Sequence, residues 1–150
     1  MGAVSSQEPT QPSAVAQRYL EAMARLGRDG SPVSLTAVAR RVGVSAPTAH
    51  EMMGRLSEGG YVTRQGERGG WKLSTEGRLA AAAVRRRRSV VEHFLRTVLL
   101  MDEAQVEVEA DRLLFSVSPS LEKELRRAAW PGDKPCETVP LGKRFREHAA

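Results

Sequence analysis

Residues 34–56 read SLTAVARRVGVSAPTAHEMMGRL, and this stretch decides the fold. Ser34 is placed to cap a short helix that carries Leu35, Val38, Ala39 and Val42 and stops at Gly43. Ser45 is placed to cap a second helix carrying Ala49, Met52, Met53 and Leu56. Only Gly43-Val44-Ser45 separates the two. Gly43 is free to take positive φ, small Ala39 lets the helices approach, and Val38, Val42, Val44, Ala49 and Met52 fall where a helix-turn-helix needs apolar packing. The spacing predicts a helix-turn-helix, with an ordinary αα-hairpin as the alternative.

Working outward, Val15, Tyr19, Leu20, Met23 and Leu26 recur at helical spacing before the breaker Arg28-Asp29-Gly30-Ser31-Pro32. On the other side, Tyr61 to Gln65 and Trp71 to Ser74 flank the turn Gly66-Glu67-Arg68-Gly69-Gly70, the pattern of two short strands forming a wing. Ser74 then caps a long helix through Leu79, Ala83, Val84, Val90, Val91, Phe94, Leu95 and Val98, with Arg85 to Arg88 in its middle. Asp102 with Gln105 reads as a capping box for a helix bearing Val106, Ala110, Leu113 and Leu114. Ser118-Pro119 opens a last helix with Leu121 and Leu125 on its apolar side. The Ser-, Gln- and Pro-rich segment 1–13 reads as a disordered tail, and 131–150, with Pro135, Pro140 and Gly142, as irregular chain. The fold class is therefore mainly α.

The chain has 150 residues, 41% of them hydrophobic and 5% aromatic, enough for one small DNA-binding domain and a helical extension sharing a core. Its net charge of +5 admits an acidic partner such as nucleic acid. The single cysteine, Cys136, permits no intrachain disulfide, and no apolar run approaches the roughly 20 residues of a membrane span. Met1-Gly-Ala-Val-Ser-Ser fits the myristoylation pattern and is read as coincidence, so the expectation is a cytoplasmic protein without a membrane partner. His50-Glu51 does not begin a zinc-protease His-Glu-x-x-His because position 54 is Gly, and no catalytic triad, phosphate loop or cysteine cluster occurs elsewhere. The reading is not an enzyme.

Residues at the start of a recognition helix meet base edges in the major groove, which nominates Ser45, Pro47, Thr48 and Glu51. Thr48 offers a hydroxyl and a methyl, Pro47 apolar contact only, and Glu51 either accepts from cytosine N4 or is simply solvated. His50 is a phosphate contact. Arg40, Arg41, Arg55, Arg64, Arg68 and Lys72 surround that helix or lie on the wing, where they neutralise phosphates or are plain surface charge.

Ser45-Ala46-Pro47-Thr48, the wing followed by Leu73-Ser74-Thr75-Glu76-Gly77-Arg78, and the helix containing Arg88-Ser89-Val90-Val91-Glu92-His93-Phe94-Leu95 together resemble the DtxR/MntR family of iron- and manganese-dependent repressors. The resemblance covers roughly residues 14 to 130. It implies a winged helix-turn-helix DNA-binding domain (14–78) followed by a helical, metal-sensor-like dimerisation domain (79–130), a homodimer whose interface lies on the apolar side of the helices over about 102–128, and a palindromic DNA operator.

The resemblance also implies a primary metal site whose matching positions here are Asp111, Leu114 and Phe115, with Arg18 and Glu21 on the first helix, and an ancillary site at Arg88 and Glu92. Leu114 and Phe115 have no metal-binding atom. A cation stands in each former site, Arg18 facing Asp111 and Arg88 facing Glu92, and the expectation is that these guanidinium groups replace the metal charge; the alternative is that both are surface residues in decayed sites. No cofactor is expected, although Mn²⁺ or Fe²⁺ is what the resemblance implies. Other readings stay open: a rearranged manganese or iron site drawn from Glu21, Glu92, His93, Glu107, Asp111 or Cys136, and a winged-helix module that binds protein instead of DNA.

Overall fold

A computed structural model of the chain describes residues 11–67 and 69–130. Arg68, Cys136, residues 1–10 of the expected tail 1–13, and the expected irregular segment 131–150 lie outside the described residues. The elements are helices α1 (Ala14–Leu26), α2 (Leu35–Val42) and α3 (Ala46–Glu58), strands β1 (Val62–Arg64) and β2 (Trp71–Leu73), and helices α4 (Thr75–Thr97), α5 (Glu103–Leu113) and α6 (Pro119–Ala129).

Every helix among the described residues begins on a side-chain oxygen. Ser13, Ser34, Ser45, Ser74, Asp102 and Ser118 each accept from the backbone N–H three residues on, at Ala16, Ala37, Thr48, Gly77, Gln105 and Leu121. Each such cap contributes about 1 kcal/mol. Asp102 and Gln105 form the reciprocal capping box. At the turn between α2 and α3, Gly43 takes φ 81° and ψ 39° and its N–H returns to the Ala39 carbonyl, the left-handed stop that separates the two helices by so few residues.

α1 to α3 pack around Tyr19, Leu20, Met23, Val38, Ala49, Met53 and Leu56, all essentially inaccessible to solvent. The two strands pair antiparallel, Val62 opposite Leu73 and Arg64 opposite Trp71, and Trp71 exchanges backbone hydrogen bonds with Val33 at 2.8 Å each way. This is the wing of a winged helix-turn-helix. The strands are shorter than the sequence pattern suggested, because Ser74 leaves β2 to cap α4 and to donate to the Gly60 carbonyl at 2.6 Å. The second unit packs Val91 and Leu95 of α4 against Val106 and Ala110 of α5 and Val117. α4 runs uninterrupted through both units.

Several residues expected on apolar faces are exposed, among them Val15 (52%), Leu79 (64%), Leu113 and Leu121. In α1 the buried face instead includes the small Ala16 and Ala22, whose short side chains let the helix approach its neighbours closely while Val15 and Leu26 stay at the margin. Val98, Leu99, Leu100, Val108, Leu113 and Leu121 leave the second unit with large apolar side chains in solvent.

α4 joins the wing by close approach: a Cβ on Gly77 would lie 2.0 Å from the Tyr61 carbonyl oxygen. Gly77→Ala must therefore push the helix off the Tyr61 carbonyl, and we expect a loss of about 1–3 kcal/mol in urea unfolding. A change within about 0.5 kcal/mol, the range of an ordinary surface substitution, would show that the contact is soft.

Candidate nucleic-acid interface and the interhelical cleft

Recognition-helix side chains stand at the solvent face of α3. Ser45 Oγ lies 2.8 Å from Thr48 Oγ1 while capping the helix, so both hydroxyls are engaged with each other in the free protein. Pro47, His50, Glu51 and Arg55 are exposed. Arg55 Nη2 donates to Glu51 Oε1 at 2.7 Å, one turn apart, which gives the acidic group a cationic partner on its own face. On the wing, the Arg64 guanidinium lies 5.9 Å from the centre of the Trp71 ring and donates to the Glu67 carbonyl at 2.7 Å. His50 and Arg64 share a groove of about 240 Å³ between the start of α2, α3 and the wing. Arg40 is exposed on α2 and Lys72 is half-buried on β2.

Arg41 lies elsewhere. It lines an open cleft of about 480 Å³ walled by Arg18, Glu21, Ala22 and Arg25 of α1, Val42 of α2, Arg88 of α4, Glu107 and Asp111 of α5, and Phe115. Arg18 does not face Asp111, as the sequence suggested; its guanidinium sits 5.0 Å from the centre of the Phe115 ring. Arg88 takes Asp111 instead, by a charged hydrogen bond, and also faces Glu92 at 3.5 Å. Burial opposes the Arg88 charge, but the hydrogen bond it donates to Asp111 and the charges of Asp111, Glu92 and Glu21 outweigh it and raise its pKa. Arg88 Nε is buried without a hydrogen-bond partner, a state that costs about 1–3 kcal/mol. Glu21 is engaged by Arg25.

The residues of this cleft do not fit a divalent metal. Leu114 is fully buried and Phe115 is aromatic, so neither supplies a donor, and a guanidinium occupies the space between the carboxylates of Glu92 and Asp111. Among the described residues no three His, Cys, Asp or Glu side chains gather as a metal site. His93, a member of the rearranged set, stacks on Trp130, ring centres 3.9 Å apart and 9° from parallel. Burial lowers the His93 pKa, assisted by the nearby Arg96 and opposed by a hydrogen bond with the Ala129 backbone.

Sequence reading missed Arg87. It is 5% exposed, donates from Nε to Glu122 Oε2 at 3.2 Å and from Nη1 to Gln17 Oε1 at 3.0 Å, and so ties α4 to α6 and α1. The signal was present in helical phase: Arg87 lies three residues after Val84 and four before Val91, both buried, whereas Arg85 and Arg86 point to solvent.

A winged helix-turn-helix carried on a helical second unit defines a class of DNA-binding regulators, and the chain belongs within it to the DtxR/MntR family of iron-dependent repressors. Residues 12–70 match the iron dependent repressor N-terminal DNA binding domain, and residues 74–129 match the iron dependent repressor metal binding and dimerisation domain. No curated protein matches the chain. Among solved structures, a manganese-dependent transcriptional repressor in complex with manganese is 34% identical over 76% of this chain and 52% of its own length, at a TM-score of 0.66. The manganese regulator SloR is 25% identical over 75% of this chain and 52% of its own, at 0.63. A hypothetical protein from Sulfolobus solfataricus shares the fold at 15% identity, 81% of this chain and 92% of its own, at 0.64. The chain thus spans about half the length of the manganese regulators it matches. Among the described residues no helix is long and apolar enough to cross a membrane.

Two outcomes follow from this geometry. Arg87→Met should lower stability by about 2 kcal/mol, less than the roughly 3–5 kcal/mol of an isolated buried pair because Glu122 keeps Arg126; an unchanged denaturation midpoint would remove Arg87 from the framework. The folded state favours neutral His93, so its contribution is present above the ordinary value of 6.5 and is lost as pH falls below it. His93→Phe, which keeps a ring on Trp130, should therefore lose less stability between neutral and acidic pH than the parent chain does, and equal losses would count against it.

Proposed function

We propose that this chain is a sequence-specific DNA-binding repressor that works as a homodimer and holds its DNA-competent arrangement without a metal ion. Two recognition helices α3 enter successive major grooves of a palindromic operator, with Ser45, Pro47, Thr48 and Glu51 toward the bases and His50, Arg40, Arg55, Arg64, Arg68 and Lys72 toward phosphates. DNA makes the cytoplasm its place of work. Residues 14–78 form the DNA-binding unit and 79–130 the dimerising one. The exposed Val108, Leu113 and Leu121 on or beside α5 and α6 support a self-association surface within 102–128.

The observation that carries metal independence is Arg88. Its guanidinium bridges Glu92 and Asp111, one remaining carboxylate from each of the two former sites, and supplies fixed positive charge there. The side chains of Arg88 and Glu92 are 17% and 16% exposed, so this pair is screened less than a surface pair. A second reading is a manganese- or iron-responsive repressor, favoured by the 34% identity to a manganese-dependent relative.

Fluorescence anisotropy on an operator selected from random DNA separates the two. Affinity should be equal in excess chelator and in added Mn²⁺ or Fe²⁺, whereas a tenfold gain with metal, about 1.4 kcal/mol of coupling, would establish the second reading. Arg55→Ala should weaken binding and reduce the log-log salt slope by about 0.9, the signature of one lost phosphate contact. Binding with no salt dependence would instead indicate a protein-interaction module.

A further inference from the structure

The cleft between α1, α2 and α5 holds more positive charge than its own carboxylates use. Glu21 is engaged by Arg25, and Asp111 by Arg88. Arg18 and Arg41 have no carboxylate partner among the described residues, and of the cleft's acidic groups only Glu107 is left without a cation. Arg88 Nε, buried at the same site, is a donor with no acceptor. Arg18 and Arg41 are exposed at the cleft, which thus offers an incoming anion free donors and positive charge. Ala22, Val42 and Phe115 add an apolar wall.

We propose that this cleft binds a small organic oxyanion, a carboxylate or phosphate ester carried on an apolar body, held between Arg18 and Arg41 with its body against Phe115. Guanidinium forks match such groups in two-point geometry, and a preformed concave site with few polar groups and an apolar wall is the usual form of a ligand pocket. Arg41 belongs to the first helix of the helix-turn-helix, while Arg18 and Phe115 belong to α1 and to the chain just after α5. A ligand bridging them ties the DNA-reading unit to the second unit, so occupancy biases how α2 and α3 are presented. An anion would then act where the relatives named for manganese are expected to use a cation.

The proposal rests on the absence of a metal from this cleft, which the chelator titration on DNA decides; the anion is tested without DNA. Isothermal titration of the full chain with phenyl phosphate, at constant ionic strength and in chelator, should give saturable binding that is weaker with inorganic phosphate. Arg18→Gln and Arg41→Gln should each lower affinity at least about tenfold, the loss of one charge-assisted hydrogen bond. Arg64→Gln, on the wing, should leave the titration unaltered. No saturable binding up to millimolar ligand would overturn the proposal. So would binding that Arg64→Gln abolishes and Arg18→Gln preserves, because the anion would then lie on the DNA face.

Discussion

Arg87 is the interaction on which the arrangement of the two units depends. A guanidinium in a packed interior is tolerated only when its donors are met, and here one partner comes from α1 and the other from α6. Because those helices belong to different halves, the requirement to satisfy one buried charge fixes their mutual position. Replacing such a pair with apolar groups often costs nothing in stability, so its value lies in specifying one geometry among several apolar alternatives. A greasy contact at the same place would permit sliding; three directed hydrogen-bonding groups do not.

α4 transmits that position. Its first turn presses through Gly77 on Tyr61, just before β1, and on Leu73 of β2, its middle carries Arg87 and Arg88, and its last turns form the core of the second unit with Val91 and Leu95. The wing and the recognition helix are held together through the same core, in which Met53 and Leu56 of α3 lie with Val62 of β1 and Trp71 of β2. Displacement of α4 is therefore felt at the face that carries His50 and Arg64. The cleft lined by Arg41 sits beside this lever, against α1 and α5, which is why its contents matter for DNA presentation.

Arg88 answers a second electrostatic requirement, set by α4 and α5. Two carboxylates brought close by α4 and α5 repel unless a cation lies between them. In this chain the guanidinium of Arg88 lies between them, with its Nε buried and without an acceptor. Leu114 is buried in the core, and Phe115 gives Arg18 a ring face.

Local chemistry written in the sequence determined the elements: Ser and Asp caps, Gly43 at a left-handed stop, the apolar periods of α1 to α6, the turn between the strands, and the family to which their order belongs. These depend on residues within a turn or two of one another, so spacing alone reveals them. It also shows that Leu114 and Phe115 carry no metal-binding atom. Only the tertiary structure decided which arginine meets which carboxylate, because Arg18, Arg87 and Arg88 project from helices whose rotation and separation no periodicity specifies. That is why Asp111 pairs with Arg88, why Arg87 finds Glu122 and Gln17, and why Arg41 lines the cleft beside α1 and α5.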